Sequence, residues 1–182
     1  MPTVLVPLAN GVEEMEAVII IDTLRRSELN VVSASIEDTQ TITCSRGVSL
    51  VADTLWSEID PNHYDAILLP GGAGGSKRLS RHTSLIEALQ AFEKNDKLIG
   101  AICAGPLVLQ AAGILHKRAV TCHPAVASQL VATSRQNERV VQDRNLITSQ
   151  GPGTAFEFAL AIISHLLGTN IATEVEQGLI LP

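Results

Sequence analysis

Short, nearly continuous apolar runs alternate along this chain with longer stretches of helical period. That is the pattern of strands buried on both faces and the helices that cover them. Thr3–Leu8 reads as the first strand and residues 13–29 as a helix, with acidic residues at its start and Arg25 and Arg26 near its end, both suiting the helix dipole. The middle of that helix, Ala17-Val18-Ile19-Ile20-Ile21, is apolar on every side. A sheet must then cover one face and something else the other, a second subunit being the natural cover. Residues 30–36 predict the next strand, and residues 39–51 hold two short strand-like pieces around Cys44-Ser45-Arg46-Gly47, an excursion of the sheet. Residues 65–69 form a buried strand that runs into the turn Pro70-Gly71-Gly72-Ala73-Gly74-Gly75. Residues 84–94 predict an amphipathic helix, 97–102 a strand, and 105–112 a helix ended by Gly113. Further on, 119–121 and 146–148 read as strands, 124–131 as a helix, Ala155–Leu167 as an apolar helix ended by Gly168, and 173–177 as a short helix.

This alternation predicts an α/β fold with a mostly parallel sheet. With 182 residues and no repeat or linker, the expectation is a single domain over residues 1–182. Ligands of such sheets bind beyond the carboxyl ends of the strands, so the junctions after Leu69 and Ile102 matter most. Composition narrows the function. Aromatic residues make up 3 %, too few for a base-stacking platform, and a formal net charge of −6 disfavours general nucleic-acid binding. No uncharged apolar run reaches the roughly 18 residues of a membrane span, and Met1 to Val6 shows no basic leader region. Cys44, Cys103 and Cys122 cannot all pair, and none is spaced as a metal finger or redox pair. The expected setting is the reducing cytoplasm.

The junction Ala101-Ile102-Cys103-Ala104-Gly105-Pro106 has the small-x-nucleophile-x-small form of a nucleophile elbow, with Cys as nucleophile. Pro106 suits a first helical turn. A sulfur at a helix N-terminus is expected to ionise below the free value of about 8.5. The glycines after Leu69 allow a backbone N–H to pair with that of Ala104 as an oxyanion hole. They match neither a phosphate loop nor a dinucleotide fingerprint. Glu13, Glu14 and Glu16 open the first long helix. Glu16 has Ile19 and Ile20 on its face, and a carboxyl buried there would stay protonated and partner Cys103; periodicity leaves Glu14 equally open. His123, after a strand, is a candidate base, and Arg46 and Arg26 are candidate anion contacts. The turn Gln150-Gly151-Pro152-Gly153-Thr154 can wall a pocket, and Cys44 and Cys122 read as bystanders. No third ligand joins Cys122 and His123, so neither a metal nor an organic cofactor is expected.

Taken together, residues 101–106, Leu69-Pro70-Gly71-Gly72, Gly11-Val12-Glu13-Glu14-Met15-Glu16 and Thr148-Ser149-Gln150-Gly151-Pro152-Gly153-Thr154 resemble the ThiJ/PfpI superfamily, in its branch of the Parkinson's-associated deglycase/chaperone and its bacterial relatives. The resemblance implies a flavodoxin-like three-layer sandwich and a homodimer with the first helix near its interface. It implies that Cys103 is the reactive thiolate, Glu16 its protonated partner, Gly72 and Ala104 the oxyanion hole and His123 the nearby histidine. Gly71, Pro152, Arg46 and Arg26 fall near the pocket, one arginine reaching across from the partner subunit. The implied activities are cofactor-independent conversion of α-oxoaldehydes, repair of early glycation adducts on proteins and nucleotides, oxidative-stress sensing and chaperoning. Older labels in the family are thiazole biosynthesis and intracellular protease. The protease branch has His after its Cys where this chain has Ala104, and some relatives carry a surface cysteine where this chain has Val51.

Overall fold

The computed structural model describes residues 1–131 and 133–181. Its main strands are β1 (Thr3–Leu8), β2 (Asn30–Ser35), β5 (Thr54–Leu55), β6 (Ala66–Leu69), β7 (Leu98–Ile102), β10 (Val140–Asp143) and β11 (Leu146–Ser149). They form one sheet in the order β10-β11-β7-β6-β1-β2-β5, parallel throughout except for β10 against β11. The helices are α1 (Glu14–Arg26), α2 (Ala73–Leu79), α3 (Thr83–Lys94), α4 (Pro106–Ala111), α5 (Ala155–Leu167) and α6 (Thr169–Leu179).

Period-2 alternation splits each buried strand between two cores. Val4, Val6 and Leu8 of β1 join Leu68 and Ile102 under α1, α5 and α6, whose Ile20, Leu24, Phe158 and Ile162 close that layer. Leu5, Ile67, Leu69, Ile99 and Ala101 face the other way, onto Leu85, Leu89 and Phe92 of α3 and Val108 and Leu109 of α4. The result is a three-layer flavodoxin-like sandwich, as expected. Gly100 is where β7 yields to a helix: a Cβ there would stand 2.9 Å from the Phe158 ring.

Where contiguous sequence misleads, tertiary packing explains why. Residues 73–79, read as part of a glycine turn, are α2. Gly75 must lie against the backbone of Val12, where a Cβ would come within 2.7 Å, and this packing overrides poor helix propensity. Residues 124–131, read as a helix, form a 3₁₀ stretch only over Pro124–Gln129. The pieces within 39–51 are β3 (Thr41–Thr43) and β4 (Ser49–Val51), a hairpin outside the main sheet. Strand β8 (Ala119–Val120) likewise pairs with β9 (Ser134–Arg135) and not with the main sheet. Helix α6 extends well beyond 173–177. Arg118 is buried and holds this end together, donating to Glu93 at 2.7 Å, Asn145 Oδ1 at 2.9 Å and Asp143 Oδ2 at 3.2 Å. Among the described residues no helix is long and apolar enough to cross a membrane.

Candidate active site

The strand order reverses between β1 and β6: β2 lies on one side of β1, while β6, β7 and β11 follow on the other. Such a switch point leaves a crevice at the carboxyl ends of the strands. Three chain turns meet there, from β1 into α1, from β6 into α2 and from β7 into α4.

Cys103 occupies the sharpest of them. Its φ is +62°, a left-handed conformation that L residues avoid unless their surroundings hold it. Ser149 and His123 supply the hold: the Cys103 N–H donates to the Ser149 carbonyl at 2.9 Å, and its carbonyl accepts the His123 N–H at 3.0 Å. Two residues on, a Cβ at Gly105 would come within 2.7 Å of the Leu69 carbonyl oxygen, so the elbow requires small neighbours.

Glu16 reaches this turn from the first turn of α1. Glu13 caps the helix, its carboxylate accepting the Glu16 N–H at 2.7 Å, while the Glu13 N–H donates to the Gly71 carbonyl at 3.0 Å. The Glu16 side chain is completely buried. Its Oε2 accepts the Gly71 N–H at 2.7 Å, and Oε1 has no nitrogen or oxygen partner among the described residues. The carboxyl lies beside Cys103, close enough for each group to perturb the ionisation of the other. Gly71 marks the convergence: a Cβ there would lie 2.6 Å from Cys103 Cβ, 2.8 Å from Glu16 Oε2 and 2.9 Å from Ala104 N. Glu14 serves elsewhere. It accepts Ser45 Oγ at 2.7 Å and the Arg46 N–H at 2.8 Å, fastening the β3–β4 turn to α1. Burial works against its charge, but these hydrogen bonds outweigh it and hold its carboxyl below the usual range.

The site's electrostatics follow from this crowding. Burial raises the Glu16 carboxyl to about 7, and the Glu13 charge adds to the rise, against the Gly71 N–H and the thiol. Burial and then the Glu16 carboxylate push the Cys103 thiol up to about 12, although the nearby Gly72 and Ala104 N–H groups oppose it. The expectation of a thiol depressed by a helix end alone therefore fails. The two groups titrate as a pair that accommodates one negative charge. When Glu16 is protonated, the repulsion it exerts on a Cys103 thiolate vanishes.

Residues 2–165 match the DJ-1/PfpI family. The chain belongs to the DJ-1/PfpI family. It is 44% identical to DJ-1 homolog B of Arabidopsis thaliana over 178 residues, which is 97% of this chain but 41% of that protein, so it spans less than half of that relative's length. It is 40% identical to the glutathione-independent glyoxalase DJR-1.2 of Caenorhabditis elegans over 158 residues, 86% of this chain and 83% of that one. The crystal structure of Drosophila melanogaster DJ-1beta shares its fold with a TM-score of 0.96 at 39% identity, covering 100% of this chain and 98% of that one.

In this DJ-1/PfpI chain the remaining candidates fall at different distances from Cys103. Gly72 has φ +88°, and its Cβ would come within 2.6 Å of Glu13 N, so only glycine fits there. His123 adjoins Cys103 through the backbone. Its Nδ1 accepts the Ala125 N–H at 3.2 Å. Pro152 opens the 3₁₀ turn Pro152–Thr154 just after β11, and Gly151 lies against the His123 ring, where a Cβ would stand 3.2 Å from Cδ2. Arg46 is exposed beside Glu14. Arg26 is not brought to Cys103 within one subunit. It ends α1, about 15 Å along the helix from Glu16 at 1.5 Å per residue, and pairs with Asp22 at 2.7 Å. Sequence reasoning missed the main-chain grip of Ser149 and His123 on Cys103, and the cap by Glu13. The Glu13-x-x-Glu16 spacing at a helix start is the signal that marks such a cap. Among the described residues no group of three His, Cys, Asp or Glu side chains is placed to hold a metal ion.

Proposed function

We propose that this DJ-1/PfpI protein is a cofactor-independent, cysteine-dependent enzyme acting on small α-oxoaldehydes such as methylglyoxal and glyoxal, or on their early adducts with proteins and nucleotides. The observation that carries this reading is the convergence of a fully buried carboxyl, Glu16, on Cys103 at its left-handed elbow, so close that a Cβ at Gly71 would lie 2.6 Å from Cys103 Cβ and 2.8 Å from Glu16 Oε2. The glyoxalase name of the Caenorhabditis elegans relative supports the same class of reaction.

The Cys103 sulfur adds to the aldehyde carbon. The new oxyanion is met by the Gly72 and Ala104 N–H groups and takes a proton, giving a hemithioacetal. Glu16 then removes the proton from that carbon as the neighbouring carbonyl oxygen is protonated, forming an enediol, and returns a proton to the neighbouring carbon. The resulting thioester reacts with water, releasing lactate or glycolate and restoring the thiol. No electrons enter or leave, so the cycle needs no redox cofactor. Ala104, in the place of the protease branch's histidine, speaks against peptidase activity. Lactate formation from methylglyoxal by the wild type, Cys103→Ser and Glu16→Gln tests the scheme: both variants lose activity, and undiminished turnover by Cys103→Ser overturns it.

The working form is a homodimer. Met15 and Val18 on α1, with Val48 and Val51 on the β3–β4 hairpin, are each about half exposed or more, and Val18 and Val51 line one groove. That is the uncovered side of the helix whose core reads apolar all round, and burying it between two copies explains the pattern. The setting is the reducing cytoplasm, which suits three free cysteines.

A second reading, a redox-sensing chaperone whose Cys103 is oxidised to sulfinate, is favoured by one observation: Cys103 is partly exposed while Cys44 and Cys122 are buried. Peptide masses after mild peroxide test it. Oxygen added at Cys103 alone supports sensing; oxidation spread over all three cysteines refutes it.

A further inference from the structure

Away from Cys103, a surface groove of about 560 Å³ is lined by Lys77, Arg78, Arg81 and His82, with Glu37 at its side and Gly74 contributing bare backbone. Neither Cys103 nor Glu16 lines it. In a protein of net charge −6, residues 77–82 concentrate three of the 13 Lys and Arg and one of the five His. Glu37 is already engaged: its Oε1 accepts the Asn10 N–H at 2.9 Å, and its Oε2 meets Arg78 at 3.5 Å. Lys77 and Arg81 form no ion pair among the described residues.

Helix polarity alone does not account for this cluster. Lys77 and Arg78 sit in the last turn of α2, where the dipole favours cations, but Arg81 and His82 lie beyond it. They lead into α3, a 12-residue helix with no side-chain cap and no acidic residue in its first turn. Its free N–H groups and dipole add a further partial positive charge beside the groove. Three cations exceed what one carboxylate needs, whereas a phosphate monoester carries about −1.5 to −2 charges at neutral pH and accepts forked hydrogen bonds from arginine. The volume fits a ligand of sugar-phosphate size.

We propose that this groove binds the phosphoryl group of a small phosphate monoester, with Lys77, Arg78 and Arg81 as its cationic contacts. The test is calorimetry and amide-shift mapping at low ionic strength with ribose 5-phosphate, inorganic phosphate and, as control, ribose. Saturable binding of ribose 5-phosphate with shifts concentrated in residues 74–82, and no response to ribose, is the expected result. Lys77→Gln/Arg81→Gln weakens that binding about tenfold or more, without changing the melting temperature or the alkylation rate of Cys103. Arg144→Gln, at an exposed arginine elsewhere, leaves it unaltered. Tighter binding of the ester than of inorganic phosphate assigns the site to the ester, and equal binding assigns it to the free ion; both retain a phosphoryl site. Absence of saturation, shifts spread over all basic residues, or an unaffected double variant overturns the proposal.

Discussion

Gly71 and Glu16, 55 residues apart in the chain, meet at 2.7 Å, the backbone N–H of one donating to the carboxyl Oε2 of the other. This contact holds the carboxyl against Cys103, and it leaves no space at Gly71 for a side chain. Much of what can be tested in this protein follows from that pair.

The first consequence is a pH-dependent stability. Glu16 rises from an ordinary 4.5 in the unfolded chain to about 7 in the folded one. Between those values the folded chain retains a proton that the unfolded chain has lost, so stability falls as pH rises through this window. The full shift corresponds to about 3 kcal/mol. Urea unfolding of the wild type from pH 4.5 to 7.5 is expected to show the decline, and Glu16→Gln to flatten it.

The thiol should respond to the same substitution. The Glu16 charge is the second largest cause, after burial, of the high Cys103 value. In Glu16→Gln that charge is gone while the Gly72 and Ala104 N–H groups remain. The rate of Cys103 alkylation, followed against pH, is expected to rise at lower pH in the variant than in the wild type. An unmoved profile would show that the two groups are not coupled.

Glycine is required at Gly72 for two reasons, a φ of +88° and Glu13 N within 2.6 Å of any Cβ. Gly113 has only the first, a φ of +75° in open space. Gly113→Ala is expected to cost about 1 kcal/mol, and Gly72→Ala about 3 kcal/mol or more through the added clash. Urea midpoints of the two variants read the difference.

Arg118 is a purely structural prediction. Removing it empties a buried position and leaves the half-buried Glu93 and Asp143 and the buried Asn145 without their shared donor. Arg118→Ala is expected to lose about 3–5 kcal/mol. Thermal unfolding measures the loss, and a change under 1 kcal/mol would mean that water replaces the guanidinium.

Dimer formation has its own test. Val18→Asp/Val51→Asp replaces the exposed apolar side chains on each side of the groove between α1 and the β3–β4 hairpin with charges. Sedimentation is expected to give a dimer for the wild type and half that mass for the variant, with unchanged far-ultraviolet circular dichroism.

The strands and long helices were legible in the sequence because their causes are local. Alternation places Val4 and Val6 in one core and Leu5 in the other, and Gly168 stops α5 within a few residues of where its apolar period ends. The elbow at Cys103 was legible for the same reason: small residues on both sides of a cysteine after an apolar strand leave few other conformations. Local sequence was silent where distant segments decide. Residues 73–79 look too rich in glycine for a helix, yet Gly75 is small because Val12 lies against it. Glu14 and Glu16 both stand in the first turn of α1, and helical periodicity could not choose between them. Only the folded chain turns one toward Ser45 and the other toward Gly71 and Cys103. Its ionisation is set by burial among segments remote in sequence, because desolvation depends on what surrounds a group in space and not on its neighbours along the chain.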